Sequence, residues 1–483
     1  MKILNNLLED ISILETHGNI DMGVSSVSLD SRIIEPNSLF VALRGNVLDG
    51  HDFINEVIEK GAKSIIYEKE ITDFKTGISY IRVPDTHTAV GIIASNFYDN
   101  PSHKLKLIGI TGTSGKTTTA TLLHQLFREL GYKAGLIGTV VNKINDKSEE
   151  AHRTTPDAVT LNELLAHMVD EGCDYCFMEV SSHSVSEKRI SGLHFVGGVF
   201  TNLSLDHLDY HKTMEEYCDA KKGFFDIIPS GGFTVANIDD EKGMYMMSTT
   251  KASRHTLSLK KDADFNLRFE SKLIGEFNAY NLLGIYAVSV LLGQDKAKSD
   301  NVGSPDSFMK EFREKVINII KNLEAVPGRF QYFKSENGVT GIVDYAHKPD
   351  ALENVLKTAN DMKKNGKLIT VVGCGGDRDK IKRPIMAKIG YDMSDIIILT
   401  SDNPRTEKPE DILEDMKKGI EGLYFENKVY ILVDRYDAIE KACDLAKTGD
   451  FILIAGKGHE NYQEVNGVQT HFDDMEELKK SLR

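Results

Sequence analysis
The chain has 483 residues, 41% of them hydrophobic and 27% charged, and a formal net charge of −15. That balance belongs to a globular protein with chain enough for about three domains at roughly 150 residues each. It excludes a general nucleic-acid binder, because no long basic run offsets the acidity, and no apolar run approaches the ~20 residues that cross a bilayer, which excludes membrane insertion.

The N-terminus, Met1-Lys2-Ile3-Leu4-Asn5-Asn6, lacks the apolar core of a signal peptide, so the protein is expected to stay in the cytoplasm. Five cysteines fit that compartment. Cys173 and Cys176 form a C-x-x-C pair, but they open an apolar strand and no second pair completes a zinc site.

Residues 1–101 read as a small α/β unit. Apolar strands over 39–43 and 64–67 alternate with a helical pattern over 53–60. Its polar places, Leu29-Asp30-Ser31-Arg32, Arg44-Gly45-Asn46 and Asp49-Gly50-His51, suit capped turns as well as a ligand site. Asn100-Pro101-Ser102 marks the first domain boundary.

The second unit, 102–326, opens on the strongest signal in the chain. Leu105, Leu107, Ile108 and Ile110 predict a buried strand that empties into Gly112-Thr113-Ser114-Gly115-Lys116-Thr117-Thr118, followed by apolar residues at helical spacing. Strand, glycine turn and helix in that order make a phosphate cradle. Backbone N–H groups and a helix N-terminus face the anion, Lys116 adds a full charge, and the Thr117 hydroxyl can hold a cation. The expected ligand is a nucleoside triphosphate with magnesium. The match is to a shortened form of the usual loop, since position 110, where the first glycine belongs, is Ile110.

Three polar clusters follow at the ends of apolar runs: Thr154-Thr155-Pro156-Asp157, Glu179-Val180-Ser181-Ser182-His183, and Thr201 to Asp209. In a parallel sheet the carboxyl ends of strands share one crevice, so Glu179 and His207 are expected to face the triphosphate and to join Thr117 around magnesium, although His is an unusual partner for so hard a cation.

Val326-Pro327-Gly328-Arg329 marks the second boundary. In 327–483, strands again end in polar groups: Asp344-Tyr345-Ala346-His347, Gly375-Gly376-Asp377-Arg378, Asp402-Asn403-Pro404-Arg405 and Gly456-Lys457-Gly458-His459-Glu460. Paired charges at four strand ends suggest a crevice for a zwitterion such as an amino acid. The fold expected is α/β in three domains, with a central phosphate-loop, mononucleotide-binding parallel-sheet domain and a C-terminal Rossmann-like domain.

The phosphate loop, the Glu179 to His183 strand end and Thr201 to Asp209 together resemble the Mur ligases, the ATP-dependent amide-forming enzymes of peptidoglycan precursor synthesis. Thr154 to Asp157 and the C-terminal signals resemble the tripeptide-synthetase branch of that family. The resemblance covers nearly the whole chain. It implies a carbamylated lysine at Lys221, within Tyr217-Cys218-Asp219-Ala220-Lys221, as a metal ligand with Thr117, Glu179 and His207. A bare ammonium repels magnesium, whereas the carbamate offers anionic oxygen.

By the same resemblance Lys116, Glu179, His207 and Lys221 would be catalytic. ATP would be held by Gly112 to Thr118 with Asn281, Arg329 and Asp344, the last two closing over it from the third domain. The UDP-sugar substrate, UDP-MurNAc-L-Ala-D-Glu, would meet Leu29, Ser31, Asn46, Thr154, Thr155, Ser181, Glu187 and Arg189. The Asp402-Asn403-Pro404-Arg405 run looks like the signature of relatives that add meso-diaminopimelate, whose distal carboxylate a guanidinium can grip bidentately. Arg383, Asp402, Asn403, Pro404, Arg405, Gly456 and Glu460 would form that pocket, with Glu460 on the distal ammonium. A monomer is expected.

Two departures stand out. Ser114 replaces the Asn usual in that branch, and residues 260–274 look short while 296–321 look long and polar, so a trimmed hairpin and an altered connecting helix are expected. The competing readings are a lysine-adding relative, a folylpolyglutamate synthetase, a phosphate-loop NTPase and a nucleotide-binding module without turnover. Arg405 opposes the first, and retention of Lys116, Glu179, His207 and Lys221 opposes the last.

Overall fold
The structure is a computed structural model describing residues 1–45, 48–299, 304–363, 365–423 and 426–482. Three sheets organise it. The first domain carries a five-stranded sheet in the order Glu15–His17, Ser79–Arg82, Ser64–Tyr67, Leu39–Val41, Val27–Ser28, parallel except for its first pair. Its helix Thr86–Phe97 is capped by the Asp85 carboxylate and packs on helix Ala158–Asp170 of the second domain, so Ala158 and Val159 join the first domain's core.

The central sheet has eight strands. Six run parallel in the order Ala134–Ile137, Tyr175–Glu179, Lys106–Thr111, Phe195–Phe200, Phe233–Asn237, Ser253–Leu257, and the hairpin Val141–Ile144/Lys147–Glu150 adds an antiparallel edge. Lys106–Thr111 is buried from its second residue onward, as a strand covered on both faces must be. After it the chain crosses over to Ala134–Ile137, returns as Tyr175–Glu179, and then builds the other side from Phe195–Phe200. The phosphate-loop strand is therefore the switch point of the sheet, where open α/β folds bind ligands beyond the carboxyl ends.

Helices Glu276–Ser299 and Pro305–Asn322 supply Leu282, Leu283, Ile285, Val288, Phe312, Val316 and Ile320 to the core beneath that strand. The connection over 296–321 is thus a pair of helices, with 300–303 outside the described residues. The trimmed hairpin expected over 260–274 is absent: those residues form no strand beyond the single bridge Leu257–Phe265. Phe265, Phe269 and Leu273 from this segment pack against the central core.

The third domain holds a six-stranded sheet in the order Gln331–Lys334, Thr340–Asp344, Phe451–Ala455, Leu368–Cys374, Ile396–Ser401, Val429–Ile431, parallel after its first pair. Phe451–Ala455 inserts between strands far earlier in the chain, which brings the loop after Ala455 beside those after Asp344, Cys374 and Ser401. Ile274 and Phe277 of the central domain pack into this domain's core, and the Phe277 and Phe330 rings meet at 5.9 Å.

Candidate active site at the domain interface
The phosphate loop follows from local backbone chemistry. Gly112 takes φ +145°, and a Cβ there would lie 1.9 Å from the Thr201 hydroxyl. Gly115, at φ +86°, precedes helix Lys116–Glu129, whose first N–H groups are left facing the loop. The loop is pinned from the next strand end: Ser114 N–H donates to Asn202 Oδ1 at 2.9 Å, and the Thr201 hydroxyl donates to the Ser114 carbonyl at 2.7 Å. Thr201 and Asn202 stood in a recognised motif, but nothing local to the sequence assigned them this task.

Glu179 is the hub of the adjoining strand end, 1% exposed. Its carboxylate accepts from the Thr117 hydroxyl at 3.0 Å and from the Thr139 N–H at 2.8 Å, and its carbonyl accepts from the Thr155 hydroxyl at 2.8 Å. Thr155 in turn accepts from Ser181 N–H, and its carbonyl accepts from Arg189, whose guanidinium is held by Glu187. Thr154 meets the Thr139 hydroxyl at 3.1 Å. The structure therefore brings Thr154, Thr155, Ser181, Glu187 and Arg189 into one chain leading away from Glu179. Leu29 and Ser31 sit on a loop of the first domain, where the Ser31 carbonyl accepts from Lys60, and Asn46 lies outside the described residues.

Lys116 folds back on its own loop, with Nζ 2.9 Å from the Gly112 carbonyl and 3.0 Å from that of Thr113. Burial, with Lys348 nearby, pushes its pKa down to about 8. Lys221 lies beneath the loop, 1% exposed, with Nζ 2.9 Å from the same Gly112 carbonyl and 4.4 Å above the Tyr217 ring. Burial, then the charges of Lys116 and Lys348, drives its pKa well below the usual ammonium range. His207 adopts φ +53° and directs Nε2 to Asp206 at 3.0 Å. Burial raises the Asp206 pKa, but the His207 bond and Lys348 outweigh it and hold the group well below the carboxylate range.

The third domain closes over this cradle. Arg329 donates to the Thr117 hydroxyl at 3.2 Å and stacks over Tyr345 at 4.5 Å, Lys348 pairs with Asp206, and the Ser204 hydroxyl donates to Asp350. Asp344 accepts from Phe330 N–H at 2.6 Å, and burial pushes its pKa up to about 6 against the pull of Arg329. Between the domains lies a cavity of 640 Å³ whose walls include Lys116, Thr117, Glu179, Asn281, Arg329 and Lys348. At its far end Tyr280 donates to Asp239 at 2.7 Å, beside Asn237 and Leu257. Lys348 was invisible in the sequence, one charge among many, and Asp206, though it stood in the Thr201 to Asp209 motif, had no partner assigned there.

A second polar cluster occupies the strand ends of the third domain. Asn403 donates to Glu460 at 2.7 Å and accepts from the fully buried Lys457 at 2.9 Å. Gly456, at φ +119°, passes so close to Asp402 that a Cβ would lie 2.6 Å from its carboxylate. Burial and Asp402 raise the Glu460 pKa. Pro404 precedes Arg405, which takes φ +52° and donates through Nη1 to the Gly376 carbonyl at 2.8 Å. Arg383 does not face this cluster with a free guanidinium: it is fully buried and bonded to Glu407, Asp415 and the Gly375 carbonyl. It fastens the loop after Arg405 instead. Arg435, also unforeseen, donates to the carbonyls of Ser401 and Ala455 and to both oxygens of Asp474, tying together the two strand ends that carry Asp402 and Gly456.

Three family models match the chain: the Mur ligase family catalytic domain over 23–98, the Mur ligase middle domain over 110–289, and the Mur ligase glutamate ligase domain over 328–458. A UDP-N-acetylmuramoyl-L-alanyl-D-glutamate–2,6-diaminopimelate ligase from Cytophaga hutchinsonii is 48% identical over 99% of both chains. The chain belongs to the Mur ligase family. Enzymes of the same name from Bacteroides fragilis and Clostridium tetani are 48% and 42% identical, each over 99% of this chain and 98% and 99% of their own. Among solved structures, one of a ligase with that name matches this Mur ligase at a TM-score of 0.68 and 30% identity, covering 100% of this chain and 99% of its own. A ligase from Thermotoga maritima in complex with ADP shares the fold, with a TM-score of 0.58 at 17% identity, over 95% of this chain and 96% of that one.

Proposed function
We infer that this Mur ligase is an ATP-dependent amide ligase that joins meso-2,6-diaminopimelate to UDP-N-acetylmuramoyl-L-alanyl-D-glutamate in peptidoglycan precursor synthesis. The observation that carries the choice of amino acid is Arg405, held by strained backbone at the rim of a cluster that also contains Asp402, Asn403 and Glu460. A guanidinium there suits a substrate whose distal end carries a carboxylate and repels lysine, whose distal end is a lone cation.

The γ-phosphoryl of ATP passes to the D-glutamate γ-carboxylate, giving ADP and an acyl phosphate. The diaminopimelate amine attacks the acyl carbon, and the tetrahedral intermediate collapses to the amide and phosphate. The loop N–H groups and Lys116 hold the phosphates; on binding, Lys116 exchanges its two loop carbonyls for phosphate oxygens. Arg329 approaches Thr117 from the other domain and adds charge only when the domains are closed. Thr154, Thr155, Ser181 and Arg189 extend from Glu179 toward the dipeptide end of the substrate, and Leu29, Ser31 and Asn46 are assigned to its nucleotide end.

The donor set suits magnesium: the Thr117 hydroxyl and the Glu179 carboxylate are adjacent oxygen ligands, and a carbamate on Lys221 would add a third anionic oxygen with His207 alongside. Bound there, Mg2+ would offset charge on the transferring phosphoryl group. ATP as substrate supports a cytoplasmic location, and no helix among the described residues is long and apolar enough to cross a membrane.

The test is phosphate release from ATP with the UDP-MurNAc dipeptide, comparing meso-diaminopimelate with L-lysine. Turnover with diaminopimelate alone is expected. Turnover with lysine alone would keep the ligase and discard the Arg405 pocket.

A further inference from the structure
A second cavity, of 390 Å³, opens at the end of the central sheet opposite the phosphate loop. Lys106, Tyr175 and Val196 bound it, at the amino ends of the three strands whose carboxyl ends carry Thr111, Glu179 and Phe200. Strand Lys106–Thr111, six residues long, separates the two places by about 17 Å. The cavity is therefore no part of the ATP site, and the ligase reaction leaves its residues without a task.

Two histidines meet on its wall. His103, on the linker between the first and second domains, stacks on His194, on the turn before Phe195–Phe200, with ring centroids 4.4 Å apart and a tilt of 25°. The His194 N–H donates to Ser102 Oγ at 3.0 Å and fixes the two segments against each other. Among the described residues, the ring nitrogens of both histidines and the Lys104 ammonium meet no hydrogen-bond or ion-pair partner in the protein. Lys106 pairs with Asp295 at 2.7 Å, and Lys296 lies 5.6 Å over the Tyr132 ring. Three lysines thus face two aspartates, Asp174 and Asp295, in a chain whose net charge is −15. Tyr132 and Tyr175 complete the titratable groups of the lining. Burial, then the charges of His103 and Lys106, lower the His194 pKa, so its protonation calls for an anion nearby.

A metal ion does not fit the pair. Ring lone pairs lie in the ring planes, and planes stacked face to face with a tilt of 25° do not meet within the ~2 Å of a metal–nitrogen bond. Parallel N–H donors suit an anion with several oxygens, each ring bonding a different one. The volume lies within the ~300–1,000 Å³ of small-molecule pockets, and Tyr132 and Leu292 give it an apolar side.

We propose that this cavity is a second anion site, one that takes a small phosphate monoester. The two imidazoles and Lys104 hold the phosphoryl oxygens, and the organic body lies against Tyr132 and Leu292. Binding draws protons onto the imidazoles, so affinity rises as pH falls toward the ordinary histidine range near ~6.5.

The probe is phenyl phosphate, added to the full-length protein with ADP and Mg2+ saturating the phosphate loop. The imidazole C2 proton resonances of His103 and His194, assigned by their loss in His103→Ala and His194→Ala, report on the cavity directly. Both should shift along one saturable curve, with a dissociation constant about tenfold lower at pH ~6.5 than at pH ~8, the scale of one charge-assisted hydrogen bond. Lys104→Gln should weaken binding about threefold to tenfold without moving the thermal midpoint, and inorganic phosphate should bind more weakly than the ester. Resonances that stay in place up to about 10 mM phenyl phosphate overturn the proposal. So does an affinity that Lys104→Gln and His103→Ala both leave unchanged. Equal affinity at the two pH values removes the histidines from the site, and equal affinity for inorganic phosphate removes the organic body; either result overturns the assignment.

Discussion
Lys116 and Lys221 share one acceptor: each Nζ lies 2.9 Å from the Gly112 carbonyl oxygen. Two ammonium groups on one buried carbonyl repel at low effective dielectric, which favours the neutral form of one of them. Burial, then the charges of Lys116 and Lys348, drives the Lys221 pKa well below the usual ammonium range.

A neutral buried amine is the form that condenses with carbon dioxide, and this supports Lys221 as the carbamylated residue. Lys221→Ala is expected to abolish turnover, with partial recovery on addition of a small carboxylic acid that fits the vacated space. Phosphate release with and without acetate or formate reads the result. Full activity of the unsupplemented variant would remove Lys221 from the mechanism.

Arg405→Ala should raise KM for meso-diaminopimelate by about 30- to 150-fold, the worth of a bidentate charged contact of about 2–3 kcal/mol. KM for ATP should move little, because the ATP cavity is lined by other residues. Steady-state kinetics with each substrate varied in turn separates the two, and equal changes in both would undo the pocket assignment.

Asp344 gives a pH-dependent prediction. Its pKa rises from 3.8 to about 6 because of burial, so between those values the folded state holds a proton that the unfolded state has lost. Stability contributed by this group is present at low pH and lost as pH rises through about 6. Asp344→Asn, which retains an acceptor for Phe330 N–H, should gain stability relative to wild type by roughly 2 kcal/mol on going from pH 4 to pH 7.5. Thermal midpoints of both proteins at the two pH values test it, and a pH-independent difference would contradict the assignment.

Arg435 and Asp474 form an ion pair with both side chains fully buried. Asp474→Ala leaves the guanidinium uncompensated and should destabilise the third domain by about 3–5 kcal/mol. Because Arg435 also holds the carbonyls of Ser401 and Ala455, KM for diaminopimelate should rise at temperatures where the variant is still folded. Calorimetry together with that KM checks both, and a variant as stable as wild type would show the pair to be dispensable.

By itself the sequence determined what is local. The strand, glycine turn and helix around Lys116 are contiguous, so their order names the phosphate cradle, and Asp157 caps helix Ala158–Asp170 within its own turn. The strand ends carrying Glu179, Asp402 and Gly456 were legible because apolar runs stop beside them. The shape of residues 260–274 was not, since apolar residues specify burial without specifying a hairpin. Only tertiary structure decided that Lys348 pairs with Asp206 across 142 residues, that Lys457 and Glu464 converge on Asn403, and that Arg383 is spent on Glu407 and Asp415. The reason is physical: periodicity and caps are set by neighbours a turn apart, whereas a charge finds its partner through strand order and domain docking, which no local pattern encodes.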